Sequence, residues 1–343
     1  MLAVVVGVGL SLGVVACSSD DSSDAASSSD AQQSDLMPAA EGKTQYPLTL
    51  ETPWGKTELK KRPEKVMATT LSGFDAELLV ALGVTPVAAN MGIKNATYVR
   101  DAGGDKIGTT LDGTFDEMYP LEQMSALEPD LIVNFSSDLT DDYKNLSAIA
   151  PVVSAEQSMK EYYNQPWQDM IRTLGKALDL SDRADKIISD NENLLKKTRD
   201  EHPEFSGKTA SFTIWRSGDL GLGGFKKGAP SEVFLQDIGF SEDALAERKP
   251  DGGTVSPEKY GIIDADALIV ADSSNDDLAT LTDNPLYKAV PAVKDGHVSY
   301  IARAEDKDKN SALAWAFALL GPIGTQYVVD NLVPKLDEAL KAS

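Results

Sequence analysis

The chain has 343 residues, room for about two domains, and 42% of them are apolar, enough for sizeable cores. Its net charge of −22 excludes a general nucleic-acid binder, which needs basic stripes to displace phosphate counterions. Two histidines, His202 and His297, and a single cysteine, Cys17, leave no intrachain disulfide and too few ligands for a His- or Cys-based centre, so no metal site is expected.

Residues 1–16, MLAVVVGVGLSLGVVA, form an apolar run shorter than the roughly 20 residues a membrane span needs. The run reads as the apolar stretch of an export signal, although no Lys or Arg precedes it. Val14-Val15-Ala16-Cys17 resembles a bacterial lipobox, which implies lipidation of Cys17 and a signal segment over 1–17. Residues 18–35 hold eight Ser and five Asp and no aromatic residue. Such a tract cannot bury enough apolar area to offset its ordering entropy. A flexible linker is therefore expected over 18–45, tethering a globular body to the outer face of a membrane.

The body begins near Tyr46 and alternates strand with helix. Residues 65–70 read as a buried strand, and Phe74, Leu78, Leu79 and Leu82 recur at helical spacing before Gly83. A strand follows at 86–90, a helix through Met124 and Leu127, a strand at 130–134, a helix over 138–148 and a strand at Val152-Val153. Trp167, Met170, Ile171, Leu174 and Leu178 form one stripe on a helix over 165–179. Ser181 is the candidate N-cap of a long helix ending at His202-Pro203. The alternation then restarts: strands at 209–215 and 220–222, a helix over 231–238, helix and strand within 256–272, a strand at 297–301 and a helical segment over 311–340. This pattern predicts an α/β fold with mainly parallel sheets. It divides into an N-terminal α/β unit (46–180), a long helix (181–202) and a C-terminal α/β unit (203–343).

Enzyme motifs are incomplete. Ser256-Pro-Glu-Lys259 satisfies S-x-x-K, but no S-D-N follows and Lys208-Thr209 is followed by Ala210 rather than Gly. Ser256 reads instead as a cap for a helix at 257–262. No G-x-S-x-G elbow occurs, and GLGGF at 221–225 is a turn rather than a phosphate-binding loop.

The segments KVMATTLSGFDAELLVALGVTPVAA (65–89), LEQMSALEPDLIVNF (121–135), PWQDMIRTLGKALDL (166–180) and DNPLYKAVPAVKDGHVSYI (283–301) resemble the substrate-binding lipoproteins of iron–siderophore ABC importers, over about residues 46–340. The resemblance implies an N-terminal lobe and a C-terminal lobe, both Rossmann-like, bridged by one backbone helix with a ligand cleft between the lobes, no catalysis, no cofactor and a monomer. It also implies that a ferric siderophore is captured and passed to ABC permease subunits. A ferric siderophore supplies its own oxygen ligands, consistent with the scarcity of His and Cys. A cobalamin or haem carrier of the same class is the alternative, and an exported α/β hydrolase the alternative from another class. A single helical bridge implies little lobe motion on binding.

Ligands of open α/β sheets bind beyond the carboxyl ends of the strands. The candidates there are Ser72, Phe74, Tyr98, Arg100, Phe135, Trp215, Arg216 and Arg303. Arginines would hold an anionic chelate against the overall negative field. Each could equally be a surface charge, and Phe74 and Trp215 either stack on the chelate or cap the lobe cores. The charged loop RAEDKDKN at 303–310 argues against a catecholate and leaves hydroxamate or carboxylate ligands open. By motif, Glu122 and Glu232 match the acidic residues, one per lobe, that meet permease arginines in this class.

Overall fold

A computed structural model describes residues 36–114, 117–135, 138–154, 166–216, 219–222, 228–241, 253–272, 278–301 and 307–342, with backbone alone at 222 and 307–311. The export signal, Cys17, the 18–35 tract and Arg303 lie outside the described residues.

The described chain starts earlier than the sequence places the body. Residues 36–45 are not a free linker: Met37 is buried, Leu36 accepts from the Thr85 amide, and Thr44 donates its amide to Asp179 Oδ1 at 2.8 Å. Arg183 donates to Glu41 from Nε and Nη2, and its Nη1 donates to the Leu82 carbonyl. One buried apolar residue and several polar anchors lay the segment along the fold.

Strands β1 (Leu48–Thr52) and β2 (Gly55–Leu59) form an antiparallel hairpin absent from the expected elements. They bury only Leu50, Thr57 and Leu59, too few apolar side chains for a clear alternation. Strand β3 (Val66–Ala68) leads into α1 (Phe74–Ala81). Then come β4 (Ala89–Asn90), a 3₁₀ turn at Met91–Lys94, α2 (Thr97–Asp101) and β5 (Thr110–Leu111). Next are α3 (Leu121–Ala126), β6 (Leu131–Val133), α4 (Tyr143–Ile149) and β7 (Val152–Val153). Strands β3, β6 and β7 make a parallel sheet in the order β3-β6-β7, and β4 runs parallel to β3 through a bridge at Met67 and Ala88.

Helix α5 (Trp167–Leu178) buries Met170, Ile171, Leu174, Ala177 and Leu178 on one stripe. It crosses α6 (Ser181–Glu201) closely: a Cβ on Gly175 would sit 2.8 Å from the Ala184 methyl. With 21 residues, α6 spans about 30 Å. Ser181 is not its cap. Leu180 holds that position, and the amide of Asp182 donates to the Glu41 carbonyl at 2.9 Å, so the N-terminal segment meets a need the Ser side chain was expected to meet.

The second sheet has five strands: β8 (Ala210–Arg216), β9 (Asp219–Leu222), β10 (Thr254–Val255), β11 (Ala267–Asp272) and β12 (Val298–Ile301). In the order β10-β9-β8-β11-β12, the last three strands are parallel and the first two antiparallel to their neighbours. Helix α7 (Pro230–Asp237) follows β9, and single-turn helices α8 (Ala279–Thr282), α9 (Pro285–Lys288) and α10 (Pro291–Lys294) connect β11 to β12. Ser256 precedes a 3₁₀ turn, Pro257–Ile263, without a side-chain cap bond; both Ser256 and Lys259 are exposed. The C-terminal segment is two helices, α11 (Lys307–Leu319) and α12 (Pro322–Lys341). Leu320 adopts a left-handed φ of 44° and Pro322 has no amide to continue the ladder, so the helix breaks there.

Residues 33–343 form one compact unit. Its largest apolar cluster is continuous across both sheets, from Leu78, Leu79, Ile171 and Leu178 to Phe212, Ile269, Phe317 and Val328. The long helix is therefore not the sole connection between the two halves: α12 packs directly on α1 and α2, and α11 on α2.

Candidate functional site

The carboxyl ends of β3, β4 and β6 meet a buried polar row. The Asn134 amide donates to Thr69 Oγ1 and to the Tyr119 hydroxyl, each at 3.0 Å. The Asn90 amide donates to the Thr69 carbonyl at 3.3 Å. Buried polar groups of this kind are tolerated when paired, and their directionality fixes the loops that leave the strands.

The turn between β3 and α1 carries Ser72. Gly73 there has a φ of 76°, and a Cβ would sit 2.7 Å from the Ile93 nitrogen, so glycine is required both by conformation and by the close approach of the 3₁₀ turn. Asp75, fully buried, accepts from the Thr70 amide at 3.0 Å, from the Thr70 hydroxyl and from the Phe135 amide at 3.1 Å. One carboxylate thus ties the β3 exit to the β6 exit. Burial pushes its pKa up to about 6, and the bonds from Thr70 and Phe135 pull against that rise.

Two residues further along the same turn of α1, a second carboxyl makes different contacts. Glu77 Oε1 accepts the amides of Ile323 at 3.0 Å and Gly324 at 2.8 Å, while the Tyr98 hydroxyl donates to Oε2 at 3.2 Å. A residue of the first half thereby caps the N-terminus of α12, where the helix dipole favours negative charge. Burial raises Glu77 to about 7. Trp315 on α11 adds a bond from its indole nitrogen to the Ser72 carbonyl at 3.2 Å.

Of the expected ligand contacts, the structure leaves Ser72 half-buried and Arg100 and Arg216 exposed, at the ends of the β3 turn, α2 and β8. Four others lie in cores. Tyr98 is buried, holds Glu77 and stacks on Tyr327 at 5.4 Å; Phe74 and Phe135 belong to the main cluster. Trp215 packs with Tyr260, Tyr287 and Leu268 in a second cluster. Alternation explains Trp215: along β8, Ala210 and Phe212 face one layer while Ser211, Thr213 and Trp215 face the other. Tyr98 was singled out by its place after β4, where nothing in the sequence announces a buried carboxylate opposite. Asp75 and Glu77 were missed, although a helix reading FDAELLVA has no polar face to keep them in water.

Glu122 is exposed in the first turn of α3, beside Leu121, and lines a groove with Ser125, Asn145, Ala148 and Ile149 of α3 and α4. Glu232 is half-buried in the first turn of α7, beside Val233, and accepts the Gly228 amide at 2.6 Å. Leu121 and Val233 are two of the four large apolar residues exposed among the described residues. Each flanks one of the two glutamates.

Two sheets with parallel strands, a polar row at the carboxyl ends of β3, β4 and β6 and a long connecting helix make an architecture of the kind solute-binding proteins use. The chain matches the periplasmic binding protein family over residues 69–304, well over half its length, and belongs to it. It is 28% identical to the Fe(3+)-citrate-binding protein YfmC of Bacillus subtilis over 247 residues, 71% of this chain and 75% of that one. It is 25% identical to the probable siderophore-binding lipoprotein YfiY of the same organism, over 68% of this chain and 74% of that one. Among solved structures, the Streptococcus pneumoniae protein PiaA in complex with ferrichrome superposes with a TM-score of 0.67 at 25% identity, covering 86% of this chain and 99% of that one. Among the described residues no helix is long and apolar enough to cross a membrane.

Proposed function

We propose that this protein captures a ferric siderophore beyond the carboxyl ends of its two sheets and hands it to the permease of an ABC iron importer. The observation that carries the reading is similarity along about three-quarters of the length of a ferric-citrate binder, joined to the fold of a ferrichrome complex. Iron is cargo here, arriving within an organic shell of oxygen ligands. Ser72, Arg100 and Arg216 remain the described residues offered to that shell, with Arg303 in the same role. Glu122 and Glu232 address basic residues of the permease, each with an apolar neighbour to bury on contact. Cys17 carries the lipid anchor, the 18–35 tract acts as a leash, and a monomer works outside the cytoplasmic membrane.

The test is titration of the chain from Gln33, which holds every core residue described, with ferrichrome, ferric citrate, a ferric catecholate, cobalamin and haem, read by tryptophan fluorescence. Saturable one-to-one binding of a ferric hydroxamate or ferric citrate is expected. Binding of haem or cobalamin alone would overturn the assignment.

A further inference from the structure

His202, Glu204 and Asp337 converge from three elements: the C-terminal end of α6, the 3₁₀ turn Pro203–Phe205 and the C-terminal half of α12. One ligating atom from each lies within 4.8 Å of the others. The His202 ring is held flat against Phe205, with centroids 4.9 Å apart and planes 8° from parallel, and its Nδ1 lies 2.8 Å from Glu204 Oε1. Asp337 spends one oxygen on Lys341 at 2.5 Å, while its other oxygen, Oδ1, is buried with no hydrogen-bond donor. Two carboxylates therefore crowd an imidazole, and the Oδ1 atom of Asp337 accepts no hydrogen bond. Such an oxygen is costly to leave unsatisfied.

We propose that this triad is a binding site for a borderline divalent metal ion of the zinc class, separate from the ligand cleft. One nitrogen and two carboxylate oxygens suit such an ion, with water completing its coordination. Tetrahedral ligands at zinc distances stand about 3.4 Å apart, and the three ligand atoms here already lie within 4.8 Å of one another. The site sits at the amino-terminal edge of the second sheet. The turn at 203–205 precedes β8, and the end of α12 meets His297, just before β12, through the Ala342 carbonyl at 2.9 Å. The candidate ligand contact Arg216 lies at the opposite end of β8. Bound there, an ion would tie the end of the long helix to the C-terminal helix.

The experiment is calorimetric titration of the chelator-treated chain from Gln33 with Zn²⁺, and with Co²⁺ followed by visible absorption. One site is expected, weakened at least about tenfold in His202→Ala and in Asp337→Asn. Affinity should rise in Lys341→Met, which removes a competing cation, and stay unchanged in His297→Ala, which alters the only other histidine. Far-ultraviolet circular dichroism confirms that each variant is folded. Ferric-siderophore binding should be indifferent to all four changes, which separates this site from the cleft. Absence of Zn²⁺ uptake, or uptake of equal affinity in His202→Ala, would overturn the proposal.

Discussion

Glu77 of α1 accepts the Gly324 amide of α12 at 2.8 Å, across 247 residues of chain. The bond makes a carboxylate of the first half the N-terminal cap of the helix that closes the second. Both Gly321 and Gly324 lie against that carboxylate, and a side chain at Gly321 would collide with it.

The buried carboxyls make stability depend on pH. Burial lifts Glu77 to about 7 and Asp75 to about 6. The native state therefore holds more protons than the unfolded chain between about pH 4 and 7, and stability falls as pH rises through that window. Urea unfolding should give a larger unfolding free energy at about pH 5 than at about pH 8, by on the order of 3 kcal/mol for Glu77. In Glu77→Gln most of that slope should disappear. An unchanged slope would show that Glu77 ionises freely.

Gly73→Ala places a side chain at a φ of 76° and within 2.7 Å of the Ile93 nitrogen. A loss of about 2 kcal/mol or more is expected by chemical denaturation. Because the 3₁₀ turn would be pushed away from Ser72, siderophore affinity should fall with it.

A chain starting at Tyr46 lacks Met37, the Thr44–Asp179 bond and the Glu41–Arg183 pair. It should unfold at lower temperature than a chain starting at Gln33. Met37→Ala alone should account for about 2 kcal/mol, by loss of a nearly buried side chain.

Glu122→Lys should abolish iron uptake by cells while leaving siderophore affinity within about twofold, since Glu122 is exposed on α3. Glu232→Lys should do the same and also lower the melting temperature, because it removes the acceptor of the Gly228 amide. Uptake at the normal rate in both variants would remove these residues from the docking surface.

Much of the architecture was legible because its signals are local. The stripe of α5, the long α6 and the strands 66–68, 131–133, 210–216 and 267–272 follow from periodicity and from Gly and Pro punctuation. The hairpin at 48–59 was not, because its strands bury three side chains between them. Site residues fared differently. Position after a strand picked Ser72, Arg100 and Arg216, which the fold leaves half-buried or exposed, and also Tyr98, Phe135 and Trp215, whose burial depends on packing from distant segments. The pairing of Glu77 with residues 323 and 324 has no local signature at all.

The central claim is that the protein grips the organic shell around iron and contributes no ligand to the ion. The visible charge-transfer spectrum of a ferric hydroxamate, recorded before and after saturation with the protein, tests this most directly. The complex should bind one-to-one with the shape of its absorption band unaltered. A new tyrosinate or carboxylate charge-transfer band, or release of the iron-free hydroxamate, would contradict the account.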